Sequence, residues 1–469
     1  MTANSLRQLK ERFNPKRVYK FGDVTVEVDG VFVRIDEEPF ERDSQYVLVP
    51  LEEFLQDPAI IRSARVSTGR DTIEVNEKAA GMVGALYKDE HVTPFEGGIM
   101  FRLKATAPIS VVQPFFQIPY AHNEFSGRYS VIDGPFYVPE FAREDPEVLR
   151  IFEEAETDSQ ELYKKFLDVS MAKEQARFAL LFRFFTKFFW TISLRHMLEI
   201  CALEKNKFAP EEFWETRDNI LISIIRDWTP WTYDKFLEHK KLYKTKWAEE
   251  EPMEEPRNHI FDSQIENIGS VKLIKSDLDE NLMRLGIHTG PSPKRGFGHC
   301  SATFEIKCPI FVHRQWVRHR YGSWSELPVD FDEIVNQDDF YVPDRFREQV
   351  GKTMGYQYQD MADEKNLAQQ KLINLLIARC EKRYWELRNL GLRPDQAALC
   401  LLYTFRIKTL WTANVESLMN FFSLRCDLHA QWETRQFANR IYKWFESAAP
   451  WANEIFLRYI NFGKIESPD

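Results

Sequence analysis

Phe101-Arg102-Leu103-Lys104-Ala105, followed by Ala107-Pro108-Ile109, returns further along the chain as Phe304-Glu305-Ile306-Lys307-Cys308-Pro309-Ile310. Other landmarks recur in the same order. Phe136-Tyr137-Val138-Pro139 is matched by Phe340-Tyr341-Val342-Pro343, and Phe189-Trp190-Thr191 by Leu410-Trp411-Thr412. Trp214-Glu215-Thr216-Arg217 is matched by Trp432-Glu433-Thr434-Arg435, and Pro230-Trp231 by Pro450-Trp451. The offset holds at roughly 200–220 residues, about one ordinary domain. Landmarks kept in order at one offset read as a tandem duplication of a single α+β unit.

The chain of 469 residues is 44% hydrophobic and 29% charged, which is ordinary globular composition. A net charge of −10 argues against broad binding to nucleic acid or anionic membranes, though local basic pockets remain compatible with it. No run of about 18 apolar residues is present, so no membrane span is expected. Met1-Thr2-Ala3-Asn4-Ser5 starts no signal-peptide apolar core, which points to a cytoplasmic protein. The cysteines at 201, 300, 308, 380, 400 and 426 show no paired metal spacing. Several lie in apolar runs, so they are expected as small buried hydrophobes in a reducing compartment, and no metal site is expected.

Residues 1–50 read as an N-terminal extension, with Val24–Val28 and Val31–Ile35 forming a hairpin about Asp29-Gly30. The first repeat is placed at 51–244. Within it, helices are expected over 51–65 and 75–87, and the alternation from Met100 to Thr106 predicts a strand. The Phe-rich stretch 145–205 reads as helical, with one or two further helices over 211–239. Residues 245–258 carry Glu249-Glu250-Glu251-Pro252 and Glu254-Glu255-Pro256 without apolar periodicity and read as an acidic linker. The second repeat takes 259–469.

The two copies are unequal. Arg314-Gln315-Trp316-Val317-Arg318-His319-Arg320 follows a strand-like apolar run, Cys308–Val312, with only His313 between. Arginine is rarely buried unpaired, and its planar fork suits phosphate, so this stretch reads as an anion site. Its first-repeat counterpart, near Phe116-Gln117-Ile118-Pro119, has no cation. Conversely, Asn123-Glu124-Phe125-Ser126-Gly127-Arg128-Tyr129 becomes Ser325-Glu326-Leu327-Pro328-Val329-Asp330-Phe331, with proline for Ser126 and an acid for Arg128. Arg177 aligns with Ala398, whereas Asn414, Asn420 and Arg425 align with Ser193, Glu199 and Glu204. What one copy lost the other kept, which a binding site assembled from both copies explains.

The pooled inventory is Arg128, Arg177, Arg318, Arg320 and Arg425, with His91 and His319 as adjustable donors. Ser67, Thr93 and Ser126 can donate to phosphate, and Asn414 and Asn420 can pair with amide-like ring edges. That set fits polyanionic nucleotides bearing heterocycles. The sequence holds no P-loop, no G-x-S-x-G and no marked thiolate, so a cofactor is expected to carry the chemistry. Taken singly, His91 also fits a turn residue, Glu124 a surface carboxylate and Asn414 a helix cap.

At these residues the sequence resembles the flavin-dependent thymidylate synthases. Their motif R-Q-W-x-R-H-R-x-x-S-x-N-E-x-S-x-R-Y is divided here: Arg314–Ser323 matches the front and Asn123–Tyr129 the back. Ala64-Arg65-Val66-Ser67 and His91-Val92-Thr93-Pro94-Phe95-Glu96 match in the first repeat only. The W-T-x-N…S-L-M-N-F…L-R…H-A-Q-W-E helix matches almost continuously in the second, from Trp411 to Glu433.

The resemblance implies two tandem thymidylate synthase-like units, each an antiparallel sheet core with a helical bundle, forming a pseudo-dimer. The family is known as a homotetramer with sites between subunits, so a fused pair would need only to form a homodimer. One class of pocket would be intact and the other degenerate. By matching position, Ser67, His91, Thr93, Arg318, His319, Arg320, Asn414 and Asn420 are implied as FAD contacts. Gln315, Glu124, Ser126, Gly127, Arg128, Arg177 and Arg425 are implied as dUMP contacts, with Arg425 beside the pyrimidine as the catalytic group. The implied reaction is reductive methylation of dUMP to dTMP. Methylenetetrahydrofolate gives the carbon, NADPH reduces FAD, and reduced flavin gives hydride. Glu416 stands where the family usually has Arg, an anion contact that Arg195 could replace. The first copy also has one residue fewer between Pro108-Ile109 and Asn123-Glu124. Two alternatives stay open: a flavoenzyme making another C5 modification such as hydroxymethylation, and a nucleotide- or flavin-binding scaffold that has lost its chemistry.

Overall fold

The computed structural model describes residues 18–34, 46–49, 57–65, 77–89, 91, 93–116, 121–205, 210–239, 261–265, 267–289, 293–319, 321–327, 331–350 and 357–460. Two compact units emerge: Met1–Pro114 with Tyr120–Phe125 and Phe185–Pro252, and Phe115–Pro119 with Ser126–Phe184 and Met253–Asp469. These units are not the same partition as the sequence repeats. The stretch Ser126–Phe184 of the first repeat belongs to the second unit.

The first unit is built on an antiparallel sheet of β1 (Val18–Phe21), β2 (Val24–Arg34), β3 (Tyr46–Val49), β4 (Met100–Pro108), β5 (Ala121–Glu124) and β6 (Phe185–Ser193). The strand order is β1-β2-β4-β6-β5, with β3 on β2. Along β4, Phe101, Leu103, Ala105 and Ala107 are buried while Lys104 between them is exposed. This is the period of a strand covered on one face. Helices Asp57–Arg65, Glu77–Lys88, Thr93–Gly98 and Leu194–Ala202 belong to this unit, as do the helical segments over 211–239.

The second unit repeats the pattern with β7 (Phe261–Ile265), β8 (Gly269–Asp277), β9 (Ser301–Pro309), β10 (Gly322–Glu326) and β13 (Arg406–Asn414), in the order β10-β13-β9-β8-β7. A separate ribbon, β11 (Arg347–Val350) on β12 (Gln357–Asp360), accompanies it. The ladder β4·β6 runs from Met100↔Ser193 to Pro108↔Phe185, and β9·β13 runs from Ser301↔Asn414 to Pro309↔Arg406. The ladders set Pro108 against Pro309, as the sequence match does, but they make Leu103, opposite Trp190, the counterpart of Phe304, opposite Trp411, and Phe101 that of Ala302. The expected match of Phe101–Ala105 to Phe304–Cys308 is thus displaced by two residues, a slip that strand alternation permits because it keeps the same face buried. The bulge between Val28 and Gly30 opposite β4 recurs between Leu273 and Lys275 opposite β9. The duplicated α+β unit with an antiparallel sheet core is thus present twice.

The long helices of the second unit are α1 (Pro146–Asp168) and α3 (Asp363–Asn389); α2 (Ile310–Trp316), α4 (Val415–Arg425) and α5 (Trp432–Ala448) complete the frame around its sheet. Asp145 caps α1 by accepting from the amides of Glu147 and Val148, and Pro146 suits its first turn. Helix α1 buries Val148, Ile151, Phe152, Ala155, Leu162, Tyr163 and Phe166, an i, i+3, i+4 stripe. It packs beside its counterpart α3, where Asp158 accepts from Arg379 and Arg383. Beyond the helices, Leu181 bridges Leu402, flanked by bonds from the Phe182 amide to Leu401 and from the Tyr403 amide to Leu180. Leu402 is the sequence counterpart of Leu181, so equivalent segments of the two repeats meet about a local two-fold axis inside this unit.

Four expectations are corrected. Asp29-Gly30 is not a hairpin turn: Val24–Arg34 is one strand, the turn falls between Phe21 and Val24, and Gly30 marks the bulge. Asp-Gly serves either device. The hairpin is also part of the sheet, since β2 pairs with β4, and not an extension outside it. The stretch 145–205 is not helical throughout: β6 interrupts it, with Thr186, Phe188, Trp190 and Ile192 buried in alternation. The run Cys308–Val312 is not a single strand, because β9 stops at Pro309, which caps α2. The expected linker at 245–258 lies outside the described residues. All six cysteines are buried and none is disulfide-bonded. Among the described residues no helix is long and apolar enough to cross a membrane.

Candidate functional site

After α1, Ser170 takes a left-handed conformation at φ 59° and turns the chain into the helical turns Lys173–Ala176 and Arg177–Ala179. These turns bury Glu174, Gln175 and Arg177. Buried polar groups require partners, and here the second repeat supplies several of them. Arg177 Nη2 donates to Gln431 Oε1 over 2.8 Å, while its Nε donates to the carbonyl of Glu174 over 3.3 Å. Gln431 precedes α5, is 1% exposed, and accepts at the same Oε1 from Gln315 Nε2 over 2.8 Å. One amide oxygen therefore holds Arg177 from the first repeat and Gln315 from the second. The guanidinium of Arg177 lies over the rings of Tyr403 and Phe311. Burial pulls Arg177 below the usual arginine range, and Arg128 adds to this.

Arg128 sits in the turn that follows Ser126. Its Nε donates to Glu174 Oε2 over 3.0 Å and its Nη2 to the carbonyl of His429 over 3.0 Å. Gly127 allows this crowding: a Cβ there would stand 2.5 Å from Ile132 Cδ1 and 3.7 Å from Arg177 Cδ. Glu174 also pairs with Arg347 of β11 over 3.1 Å.

Arg425, the last residue of α4, donates from Nε to His319 Nε2 over 2.9 Å and from Nη2 to the carbonyl of Gln315 over 2.8 Å. Burial pulls Arg425 down to about 10, with Arg318 and Arg128 contributing. Burial, and then Arg425, pull His319 down to about 3. His319 is therefore a neutral acceptor at Nε2 toward Arg425 at physiological pH, where the sequence suggests an adjustable donor. The side-chain Oε1 of Gln315 is buried and has no hydrogen-bond partner among the described residues.

The structure thus brings Arg128, Arg177, Gln315, His319 and Arg425 into one hydrogen-bonded cluster, with Ser126 and Gly127 in the turn that carries Arg128. Arg318 follows α2 and is exposed. Asn414 caps α4, its Oδ1 accepting from the Ser417 amide over 2.8 Å, so a ligand contact falls to its Nδ2. Asn420 is exposed on α4. Other candidates lie in the first unit. His91 and Thr93 are exposed at the start of Thr93–Gly98, and Glu124 accepts from Thr186 Oγ1 over 2.8 Å. Arg195, a candidate replacement for the arginine missing at Glu416, is held by Glu96 and Glu199 at 2.8 and 2.9 Å. Ser67 and Arg320 lie outside the described residues.

Sequence reasoning missed Glu174, Gln431 and Arg347. Gln431 lies in the H-A-Q-W-E stretch and Glu174 three residues before Arg177, so position alone was the available signal. The chemistry of the second-repeat set fits a flavin nucleotide. Arg318 suits a diphosphate, and the amides of Asn414 and Asn420 suit ring or ribose edges.

The family model for thymidylate synthase complementing proteins, Thy1, matches residues 51–231 and again residues 242–451. The chain belongs to this family. The double match agrees with the duplicated sheet and makes the chain a tandem, fused Thy1 protein. A flavin-dependent thymidylate synthase of Thermosipho africanus is 39% identical over 171 residues, 36% of this chain and 73% of its own. One of Pseudothermotoga lettingae is 36% identical over 189 residues, 40% of this chain and 79% of its own. Among solved structures, a UMP/dUMP methylase from Streptomyces cacaoi bound with 5-Br dUMP aligns at 21% identity with a TM-score of 0.38, covering 46% of this chain and 96% of its own.

Proposed function

We propose that this chain is a flavin-dependent thymidylate synthase whose working sites are composed from both repeats. The observation that carries the reading is the shared oxygen of Gln431, which holds first-repeat Arg177 and second-repeat Gln315 side by side. Each is implied as a nucleotide ligand on independent motif grounds, and neither repeat alone contains both. The relatives named above support flavin as cofactor and a thymidylate product.

In this reading Arg128 and Arg177 receive the phosphate of dUMP through the guanidinium N–H groups not bonded to Glu174, His429 and Gln431. Gln315, whose Nε2 donates to the carbonyl of Phe311 and to Gln431, contacts the nucleotide as an acceptor through Oε1. Ser126 and Gly127 shape the same pocket, and Glu124 is a further implied dUMP contact carried by the first unit. Arg425, aimed by His319 and by the carbonyl of Gln315, meets the pyrimidine carbonyl on which negative charge develops. A preorganised donor there is worth about 3–4 kcal/mol of barrier. A neutral His319 adds no competing positive charge. Arg318, His319, Arg320, Asn414 and Asn420 would hold FAD, which when bound and reduced supplies hydride chemistry. Ser67, His91 and Thr93 are further implied FAD contacts carried by the first unit. Methylenetetrahydrofolate is the carbon donor and NADPH the reductant, and the protein works as a cytoplasmic homodimer of fused pairs.

The purified protein is expected to be yellow. It should convert dUMP to dTMP when given methylenetetrahydrofolate and NADPH, and should rescue a thymidine-requiring strain. A different C5-modified product would replace the reaction while keeping the site. A colourless protein that makes no product would remove the proposal.

A further inference from the structure

We propose that Arg347 and Glu174 are positioning residues that keep Arg128 available to a phosphate, and that β11–β12 exists in the second repeat to supply this restraint. The inference rests on reading Arg128 as a phosphate ligand.

The ribbon is a difference between the copies. Between Phe136-Tyr137-Val138-Pro139 and α1 the first repeat has only the short helix Glu140–Glu144. Between Phe340-Tyr341-Val342-Pro343 and α3 the second repeat has β11 and β12. The start of β11 is pinned to the segment that carries Glu174. The amide of Arg347 donates to Gln175 Oε1 over 2.6 Å, and the Ala172 amide donates to the carbonyl of Arg347 over 2.7 Å. The Arg347 guanidinium lies over the Tyr358 ring at 5.6 Å. Its Nη2 stands 3.1 Å from Glu174 Oε1 and 3.8 Å from Glu433 Oε2.

Glu174 is 1% exposed, so its charge must be met inside the protein. It divides its two oxygens, Oε1 to Arg347 and Oε2 to Arg128 Nε. Arginine and carboxylate left to themselves favour two parallel bonds. A Glu174 with Oε1 released would take Arg128 side-on through Nε and Nη2, drawing Nη2 from the His429 carbonyl and turning the remaining guanidinium N–H groups away from an anion. Arg347 faces that second oxygen as an ion partner at 3.1 Å, its Nη2 lying outside hydrogen-bonding geometry, and its charge keeps the oxygen from turning to Arg128. Glu433, 0% exposed and accepting from Tyr341 over 3.2 Å, backs Arg347 in turn. Charges alternate along Arg128, Glu174, Arg347 and Glu433, so a change at Arg347 reaches Arg128 without touching a ligand.

The test is calorimetric titration of the full chain with dUMP and, by displacement, with deoxyuridine, which lacks the phosphate. Arg347→Met should weaken dUMP about tenfold or more and leave deoxyuridine unchanged. Adding Glu174→Gln in the same chain should restore dUMP to within a few-fold, because an amide cannot form the side-on ion pair. Arg347→Gln, which keeps a donor near Oε1, should show the same selective loss in smaller measure and is the variant to read if Arg347→Met does not fold. Equal weakening of both ligands, or further loss on adding Glu174→Gln, would make Arg347 merely structural and overturn the proposal. A wild-type chain that binds dUMP tightly and variants that do so equally well would overturn it while leaving the proposed function intact. A wild type that binds dUMP no better than deoxyuridine would overturn both.

Discussion

Arg425 Nε donates to His319 Nε2 over 2.9 Å, so a histidine matched to the flavin-binding motif is the hydrogen-bond acceptor of the arginine matched to the pyrimidine. That single bond fixes the histidine tautomer, with its proton on Nδ1. It also commits one edge of the guanidinium to the protein. The part not bonded to His319 or to Gln315 is what remains for substrate.

Arg425→Ala should therefore cut turnover about 10²–10³-fold, the usual effect of removing a preorganised donor. Flavin should stay bound, because the other flavin candidates are untouched. Turnover assays paired with the absorbance of the bound flavin check this. Near-normal turnover would remove Arg425 from the chemistry.

Acid should destabilise the protein through its buried histidines. Burial holds His313 at about 3, with Arg314 adding, and His319 at about 3, with Arg425 adding. Both start from an ordinary 6.5. The folded values are depressed, so the stabilising contribution is complete above about pH 6.5 and drains as pH falls toward 3. Over that window each histidine contributes a slope of about 1.4 kcal/mol per pH unit. Glu326 Oε1, 3.9 Å from His313 Nδ1, is the nearby carboxylate acting against this slope. Denaturant titrations at pH 7 and pH 5 should show the loss, and His313→Gln should reduce it. A pH-independent midpoint over that range would contradict the burial.

Gln431→Leu removes the oxygen shared by Arg177 and Gln315 and leaves two buried donors without it. A stability cost of about 1–3 kcal/mol is expected. The Kd for dUMP should rise about tenfold, since neither ligand side chain keeps its aim. Gln431→Glu should differ in kind, because a carboxylate would hold Arg177 as an ion pair and compete with phosphate. Thermal melts and titration of both variants distinguish the two effects. Unaltered dUMP affinity in the leucine variant would mean that Arg177 and Gln315 are positioned some other way.

The duplication was legible because strand alternation survives as a pattern, but the period of two left the register open: the ladders match Leu103, Ala105 and Ala107 to Phe304, Ile306 and Cys308, two residues from the match the letters suggest. The complementary losses were equally legible, since Arg177 against Ala398 is a difference in letters. Strand β6 was hidden by its aromatics, which a helix core can bury as readily. Asp29-Gly30 was misread because turn and bulge use the same dipeptide. Glu174 and Gln431 were illegible for a different reason. A polar residue in an apolar stretch shows its role only when its partner arrives, and here the partners are far away in sequence, as with Arg177 and Gln431.

The arrangement also bears on which chain would supply each arginine in the proposed site. Arg128 and Arg425 belong to the same compact unit of one chain, and Arg128 lies near enough to lower the pKa of Arg425. If both serve one nucleotide, each site takes them from a single chain. Mixing Arg128→Ala protein with Arg425→Ala protein and reassembling them should then give no recovery, because every site in a mixed dimer carries one of the two defects. The control is a tagged wild-type chain mixed with either variant, where activity should follow the wild-type fraction. Turnover in the mixture above the sum of the two parents would show that a working site draws Arg128 and Arg425 from different chains, and would return this site to the subunit interface.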